Sequence, residues 1–414
     1  MTSLDVFVDD GGTDRLVGQA YFTRSRGEVS TTFVYDTEYL AGGGGSIDPS
    51  LPLVSGSQHQ RGLVRAFADS APDRWGRNLI EKAERLRARQ EQRTPRRLDD
   101  VDFLLGVSDD ARQGALRFRT HGSAVFLGEA AHVPPLVSLP ELLRAADDLS
   151  SGDDSAQAVK QLLDTGTTGL GGARPKASVR LDNGELAIAK FPHASDEWDV
   201  MAWEGTALDL LESAGIRTPD RRLMKIGNRS VLVLRRFDRA PGTRIGYISA
   251  LTAVGANDGE HRDYAEIAEA TRDLSDSPRA ELRELFSRVV ANVALGNTDD
   301  HLRNHGFLAE RSTWTLSPAF DVNPQPDALR PRATTVMGAD TPPDEAESLL
   351  AFADECDLDI SVARERMASV ATALAGWARG ARANGIPSRE IQIMGQSIRP
   401  RLESVTRVAS TASV

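Results

Sequence analysis

The chain has 414 residues, 40% hydrophobic and 26% charged, which excludes wholesale disorder, a collagen-like repeat and a disulfide scaffold. Lys+Arg is 49 against 60 for Asp+Glu, a net charge of −11, so the surface as a whole is not a nucleic-acid glove, although a local basic patch remains open. A single cysteine, Cys356, forbids an intrachain disulfide and a Cys-built zinc site. No apolar run approaches the ~20 residues of a membrane span, and Met1 to Asp5 lacks a basic, apolar leader. The expectation is a cytoplasmic protein with no membrane contact, long enough at about 150 residues per domain for two or three domains.

Short alternating runs from Val6 to Val34 predict a small antiparallel sheet. Gly42 to Gly45 reads as a flexible connector or turn. A very basic helix is expected over Asp73 to Arg97, either as a solvated face paired with Glu81, Glu84 and Glu91 or as a surface for an acidic partner. Asp99 to Leu105 reads as another helix and Ala115 to Phe118 as a strand. Pro134-Pro135 and Ser150 to Asp154 mark a boundary region. Strands at Ala177–Leu181 and Leu186–Phe191 flank an Asp182-Asn183-Gly184 turn, and a helix from Val200 ends near Gly215. A second hairpin turns at Gly227-Asn228. Beyond Asp238 the pattern is helical: Asp263–Leu274, then a helix opened by Ser277-Pro278 and running to Gly296. The hairpin Gly306–Leu308 against Trp314–Leu316 interrupts it, before Glu345–Glu355, Ile360–Gly376 and Ser388–Ser404. A small sheet lobe followed by a helical lobe is expected from about residue 155 onward.

Gly296-Asn297-Thr298-Asp299-Asp300-His301-Leu302-Arg303-Asn304 carries the sharpest chemical signal. Asp299 and Asn304 have the spacing D-x-x-x-x-N, which in protein kinases joins a base for the incoming hydroxyl to a magnesium-holding amide. Asp321, 22 residues after Asp299 in Ser317-Pro318-Ala319-Phe320-Asp321, supplies a second carboxylate suited to magnesium. Only five of the 49 cations are lysines. Lys190 ends a strand, and Glu204 follows 14 residues later in a helix, the order of a phosphate-positioning lysine and its glutamate. Upstream, Gly166 to Lys176 contains Gly171 and Gly172, whose backbones can approach phosphate, with Lys176 adding charge. The spacing fits neither a P-loop nor a dinucleotide fingerprint. His301 and His305 lack the glutamate of a zincin, and His301 reads as a loop-orienting hydrogen-bonding residue. Neither Ser178 nor Cys356 stands in a nucleophile-elbow context. Arg235-Arg236-Phe237-Asp238-Arg239 reads equally as a nucleotide-contacting hinge or a charged strand exit.

Taken in order, these motifs resemble the HipA-like family of serine/threonine protein kinases, the toxins of type II toxin–antitoxin pairs. The resemblance extends over nearly the whole chain, from Phe33–Leu40 and Ser50–Leu53 through Gly171–Lys176, Arg236–Arg239, Gly296–His301 and Asn304 to Pro318–Asp321. It implies Asp299 as catalytic base, Asn304 and Asp321 on magnesium, and Lys190 on ATP phosphate. It also implies that Arg235 and Phe237 line the adenine hinge through their backbones. Family members often carry an autophosphorylated serine where this chain has Gly169, which leaves Thr167 or Thr168 as the hydroxyl of any such switch.

The expected fold is α+β: a two-lobed protein-kinase-like architecture behind an N-terminal β-rich domain. The expected divisions are an accessory domain over 1–125, a sheet lobe over 126–236 and a helical lobe over 237–414. The expected function is ATP- and magnesium-dependent phosphorylation of a protein serine or threonine by a toxin. A helix-turn-helix antitoxin is the expected partner, with DNA reached only through it. The alternatives are a small-molecule phosphotransferase and a catalytically silent co-repressor.

Overall fold

Alternation builds the first sheet. Strands β1 (Thr2–Asp10), β2 (Thr13–Ser25) and β3 (Glu28–Tyr35) meander antiparallel, then β4 (Ser57–Arg61) and β5 (Leu116–Thr120) close the edges in the order β4-β3-β2-β1-β5. Leu4, Val6, Ala20, Phe22, Phe33 and Phe118 are buried on this sheet, and Phe67, from the short helix Arg65–Asp69, stacks edge-on against Phe33 and Phe118. The computed structural model describes residues 2–128, 132–151, 155–166, 174–310 and 313–411.

Two compact units divide the chain: Met1–Ser195 with Val233–Ile248 and Leu308–Ser312, and Asp196–Leu232 with Ser249–Phe307 and Thr313–Val414. In the first unit, the Gly42–Gly45 stretch is a fixed turn. Tyr39 lays its ring where a Cβ on Gly44 would fall, 2.3 Å away, and its hydroxyl donates to the Gly45 carbonyl. The basic helix covers Arg74–Gln90 and stops short of Arg97, because the following residues turn back onto buried Glu84. Glu84 accepts from Arg93 Nη1 (2.5 Å) and from the Arg96 backbone N–H (2.9 Å). Two helices occupy the expected boundary region, Leu139–Ser150 and Ala156–Asp164. Their apolar residues Leu142, Leu143, Leu149, Val159 and Leu162 are buried, a periodicity that the Ser/Asp-rich stretch between them obscures in sequence. Strands β6 (Lys176–Arg180) and β7 (Leu186–Lys190) form the expected hairpin, with Lys176 directly opposite Lys190.

In the second unit the Val200–Ser213 helix is buried on most of its faces. It is followed by β8 (Arg221–Ile226) and by β9 (Arg229–Arg235), whose last residues enter the first unit at Val233. The Pro278–Leu295 helix runs through the core, with every residue from Leu285 to Leu295 buried. Helices Ile360–Leu374 and Ser388–Ser410 pack on it, and a further helix, Trp377–Ala383, lies between them in sequence where none was expected. Its Trp377 sits 6.3 Å, ring to ring, from Trp203. Among the described residues no helix is long and apolar enough to cross a membrane.

Candidate active site

The Pro278–Leu295 helix ends at Gly296 in the left-handed conformation (φ 69°), the usual glycine cap. Only glycine fits here, because a Cβ would lie 2.9 Å from Ser397 Oγ and 3.2 Å from Arg401 Cδ. The loop that follows is braced from one side by residues 325–334. Gln325 N–H donates to the Gly296 carbonyl (3.1 Å), Ala333 N–H to that of Thr298 (2.8 Å), and Thr334 Oγ1 to that of Asp300 (2.6 Å). Beneath it, buried Glu345 accepts from both Arg332 and Arg401, and Arg332 also reaches the Asn297 carbonyl. Burial, with Arg332 alongside, pushes the Arg401 guanidinium down to about 10.

Asp299 and Asp300 are neighbours with opposite environments. Asp300 is 2% exposed and accepts from Tyr264 Oη, from Asn292 Nδ2 (2.6 Å), and pairs with His305 Nε2 (2.9 Å). Burial pushes its carboxyl up, but His305 and Tyr264 outweigh that and hold it below the usual carboxylate range. The loop-orienting histidine is therefore His305, whereas His301, the sequence candidate, is exposed. Asp299 has 62% of its side chain exposed and, among the described residues, meets one cation, Arg330, at 3.5 Å. Asn304, mostly buried, donates Nδ2 to the Asp299 carbonyl (3.2 Å), which leaves Oδ1 as its remaining acceptor.

Asp321 has φ 59°, a left-handed backbone that a non-glycine residue holds only when its surroundings impose it. Both flanks are tied. Ala319 N–H donates to the Arg217 carbonyl (2.8 Å), and Asn323 N–H donates to Asn297 Oδ1 in the loop itself (3.3 Å). Asn323 Nδ2 reaches Asp321 Oδ1 (3.3 Å), while its own buried Oδ1 has no hydrogen-bond partner among the described residues. The Asn304 amide oxygen and the Asp321 carboxylate are hard oxygen donors of the type magnesium prefers, and magnesium commonly completes its shell with phosphates and water. Among the described residues no three His, Cys, Asp or Glu side chains converge as an all-protein metal cage.

In the first unit, Lys190 is 8% exposed at the end of β7. Lys176 is also buried, and its ammonium is bound by Asp73 (2.5 Å), the residue that caps the Arg74–Gln90 helix. Burial pushes the Asp73 carboxyl up, and Lys176 only partly offsets this. A lysine read from the sequence as added phosphate charge thus has a carboxylate partner from the N-terminal region. Gly171 and Gly172, with Thr167, Thr168 and Gly169, lie outside the described residues. Glu204 is fully buried in the Val200–Ser213 helix of the second unit.

The side chains of the Arg235–Arg239 stretch make contacts that neither sequence reading named. Arg235 pairs with Glu185 (2.6 Å), and Phe237 is half-buried against Tyr247. Arg236, Asp238 and Arg239 clamp residues 111–114 instead. Arg236 donates to the Ala111 carbonyl (2.6 Å), Arg239 to that of Arg112 (2.5 Å), and Asp238 accepts from Gly114 N–H (2.8 Å) and from both arginines. Burial pushes Asp238 up, but Arg236 and Arg239 hold it well below the usual carboxylate range, while burial pushes Arg239 down to about 9. Sequence reading missed Asp73, Asp300 with Tyr264, and this clamp. Asp238 and Asp300 stand among polar neighbours in the chain, so no break in an apolar run marks them.

The family model for the HipA N-terminal domain matches residues 4–119, and that for the HipA-like C-terminal domain matches residues 168–378. The chain belongs to the HipA-like family. The solved structure of the Shewanella oneidensis MR-1 toxin–antitoxin HipA, in complex with HipB and operator DNA, is 15% identical to this HipA-like chain. The alignment covers 98% of this chain and 100% of that one with a TM-score of 0.67, which shows a shared fold. The proinflammatory kinase CtkA of Helicobacter pylori aligns over 56% of this chain and 92% of its own, at 16% identity and a TM-score of 0.40. A Haemophilus influenzae protein named "Putative kinase" is 24% identical over 143 residues, 30% of this chain, and the match spans only 42% of that relative. The mixed α and β architecture expected from the sequence is thus that of the HipA fold.

Proposed function

We propose that this HipA-like protein is a serine/threonine protein kinase acting as the toxin of a type II toxin–antitoxin pair, with an antitoxin of the helix-turn-helix class as partner and DNA reached through that partner. The observation that carries the reading is the loop at 296–304. It holds one carboxylate, Asp299, open to solvent on a backbone braced by residues 325–334, with Asn304 bonded to the Asp299 carbonyl and the segment that carries Asp321 tied to Asn297 of the same loop through Asn323. In this reading Asp299 accepts the proton of the acceptor hydroxyl. Asn304 and Asp321 hold the magnesium that would neutralise charge on the ATP phosphates. Lys190 contacts phosphate, and Lys176 with Asp73 sets the position of the β6–β7 hairpin. Gly171 and Gly172 approach the phosphates, and the backbones of Arg235 and Phe237 meet the adenine. The divisions at 1–125, 126–236 and 237–414 remain the domain scheme we favour.

Phosphotransfer by this arrangement is mostly positioning and charge stabilisation, because the protein supplies little covalent chemistry. The test is Mg–ATP binding and phosphotransfer by the full chain. Lys190→Ala is expected to weaken one or both strongly, whereas Lys225→Ala, whose ammonium bonds Asp199 and Ser230, is expected to be near neutral. Equal effects from both would remove Lys190 from the phosphate site. Phosphoproteomics after induction, with Asp299→Ala as the control, would identify the acceptor.

A further inference from the structure

We propose that Arg330 is a further catalytic residue, whose guanidinium meets the phosphoryl group in transfer; this rests on reading Asp299 as the base. In that reaction the acceptor oxygen bonds to the γ-phosphorus of ATP as the bond to the β–γ bridging oxygen breaks. The hydroxyl proton passes to the Asp299 carboxylate, and ADP leaves with the electron pair of the broken bond. Negative charge spreads over the three equatorial oxygens of the transferring group, and a cation placed there lowers the barrier.

Geometry selects Arg330 for that place. A hydroxyl giving its proton to Asp299 lies about 2.6–3.2 Å from the carboxylate. Arg330 Nη2 already lies 3.5 Å from Asp299 Oδ1, so guanidinium and acceptor oxygen share the surroundings of one carboxylate. The neighbouring cations are committed elsewhere. Arg303 makes two 2.7 Å bonds to Asp258, and Arg332 and Arg401 are buried on Glu345.

Arg330 is also presented by a rigid turn. Arg401 Nη2 holds the Ala328 carbonyl (2.9 Å), Asp327 Oδ1 accepts from Leu329 N–H (3.0 Å), and the Asp327 carbonyl accepts from Arg330 N–H (3.4 Å). Pro331 fixes the next φ, and buried Arg332 anchors the exit. Such bracing does little for an exposed ion pair, which adds little stability by itself. It does fix the root of a side chain that remains 45% exposed and free to turn from Asp299 to the phosphoryl oxygens.

The experiment measures ADP release and phosphate incorporation by the full chain, with Mg–ATP and dephosphorylated casein as the probe acceptor, for wild type, Arg330→Ala, Arg330→Lys and Asp299→Asn. Arg330→Ala is expected to lower kcat about 10²-fold or more, with Kd for Mg–ATP changed less than about threefold and Tm unchanged. Arg330→Lys is expected to recover part of the loss, a point charge replacing the fork. If Arg330→Ala retains or raises kcat while Asp299→Asn abolishes it, the assignment of Arg330 fails and the kinase reading stands. If Asp299→Asn keeps wild-type turnover, or the wild type shows none, the kinase reading falls and this inference falls with it.

Discussion

Asp238 and Asp299 are both aspartates with an arginine close by, and the fold treats them in opposite ways. Asp238 is closed in: it is buried, bonded to two guanidiniums and a backbone N–H, and those arginines hold the carbonyls of residues 111–112. Asp299 is left open, with one arginine at 3.5 Å and the rest of its carboxylate facing solvent. A fully satisfied buried charge network specifies structure, and removing one member strands the others. An open carboxylate on a rigid backbone contributes little to stability and is available to substrate. The contrast separates the residue that fastens two parts of the chain from the one we propose for the chemistry.

That division can be broken in order of expected effect. Asp299→Asn should cost about 10²–10⁴ in phosphotransfer rate, the size of a general-base contribution, while leaving Tm nearly unchanged. A large drop in Tm would mean that the open aspartate is structural. Asp238→Ala should do the reverse. Leaving Arg236 and Arg239 without their carboxylate is expected to cost about 3–5 kcal/mol by denaturant unfolding, and a loss under 1 kcal/mol would show that the clamp is dispensable. Gly296→Ala forces a Cβ onto a left-handed residue against Ser397 and Arg401, and chemical denaturation should show a loss of about 1–2 kcal/mol.

Acid sharpens the comparison further. The folded Asp238 carboxyl titrates below its unfolded value of about 3.9, so its stabilising contribution is complete above about pH 4 and is lost as pH falls toward the folded value. The difference in Tm between wild type and Asp238→Asn should therefore be largest near neutral pH and narrow below about pH 4. A constant difference would mean that the aspartate acts by shape alone. The smallest effect is expected at Arg85→Ala, an exposed pair with Glu81 one helical turn away, where unfolding should shift by less than about 0.5 kcal/mol.

Local pattern carried much of the fold. Alternation marked β1 to β3, the Asn183-Gly184 and Gly227-Asn228 turns marked both later hairpins, and the Ser277-Pro278 start and Gly296 stop bounded the core helix. Where two signals compete in one window, pattern failed. The Ser/Asp-rich stretch between Leu149 and Ala156 concealed two helices, and continuous basic charge hid the end of one at Gln90.

The sequence alone determined that Asp299, Asn304 and Asp321 recur at a kinase-like spacing, because that spacing lies within a loop and its following hairpin, where chain connectivity keeps residues near one another. Tertiary structure decided everything that depends on partners distant in the chain. It bound Lys176 to Asp73, 103 residues away, and turned Asp238 to Gly114, 124 residues away. It buried Asp300 against Tyr264 and brought Arg330 to Asp299. A charge's role depends on whether it is desolvated and by what it is paired, and neither can be read from the residues beside it in the chain.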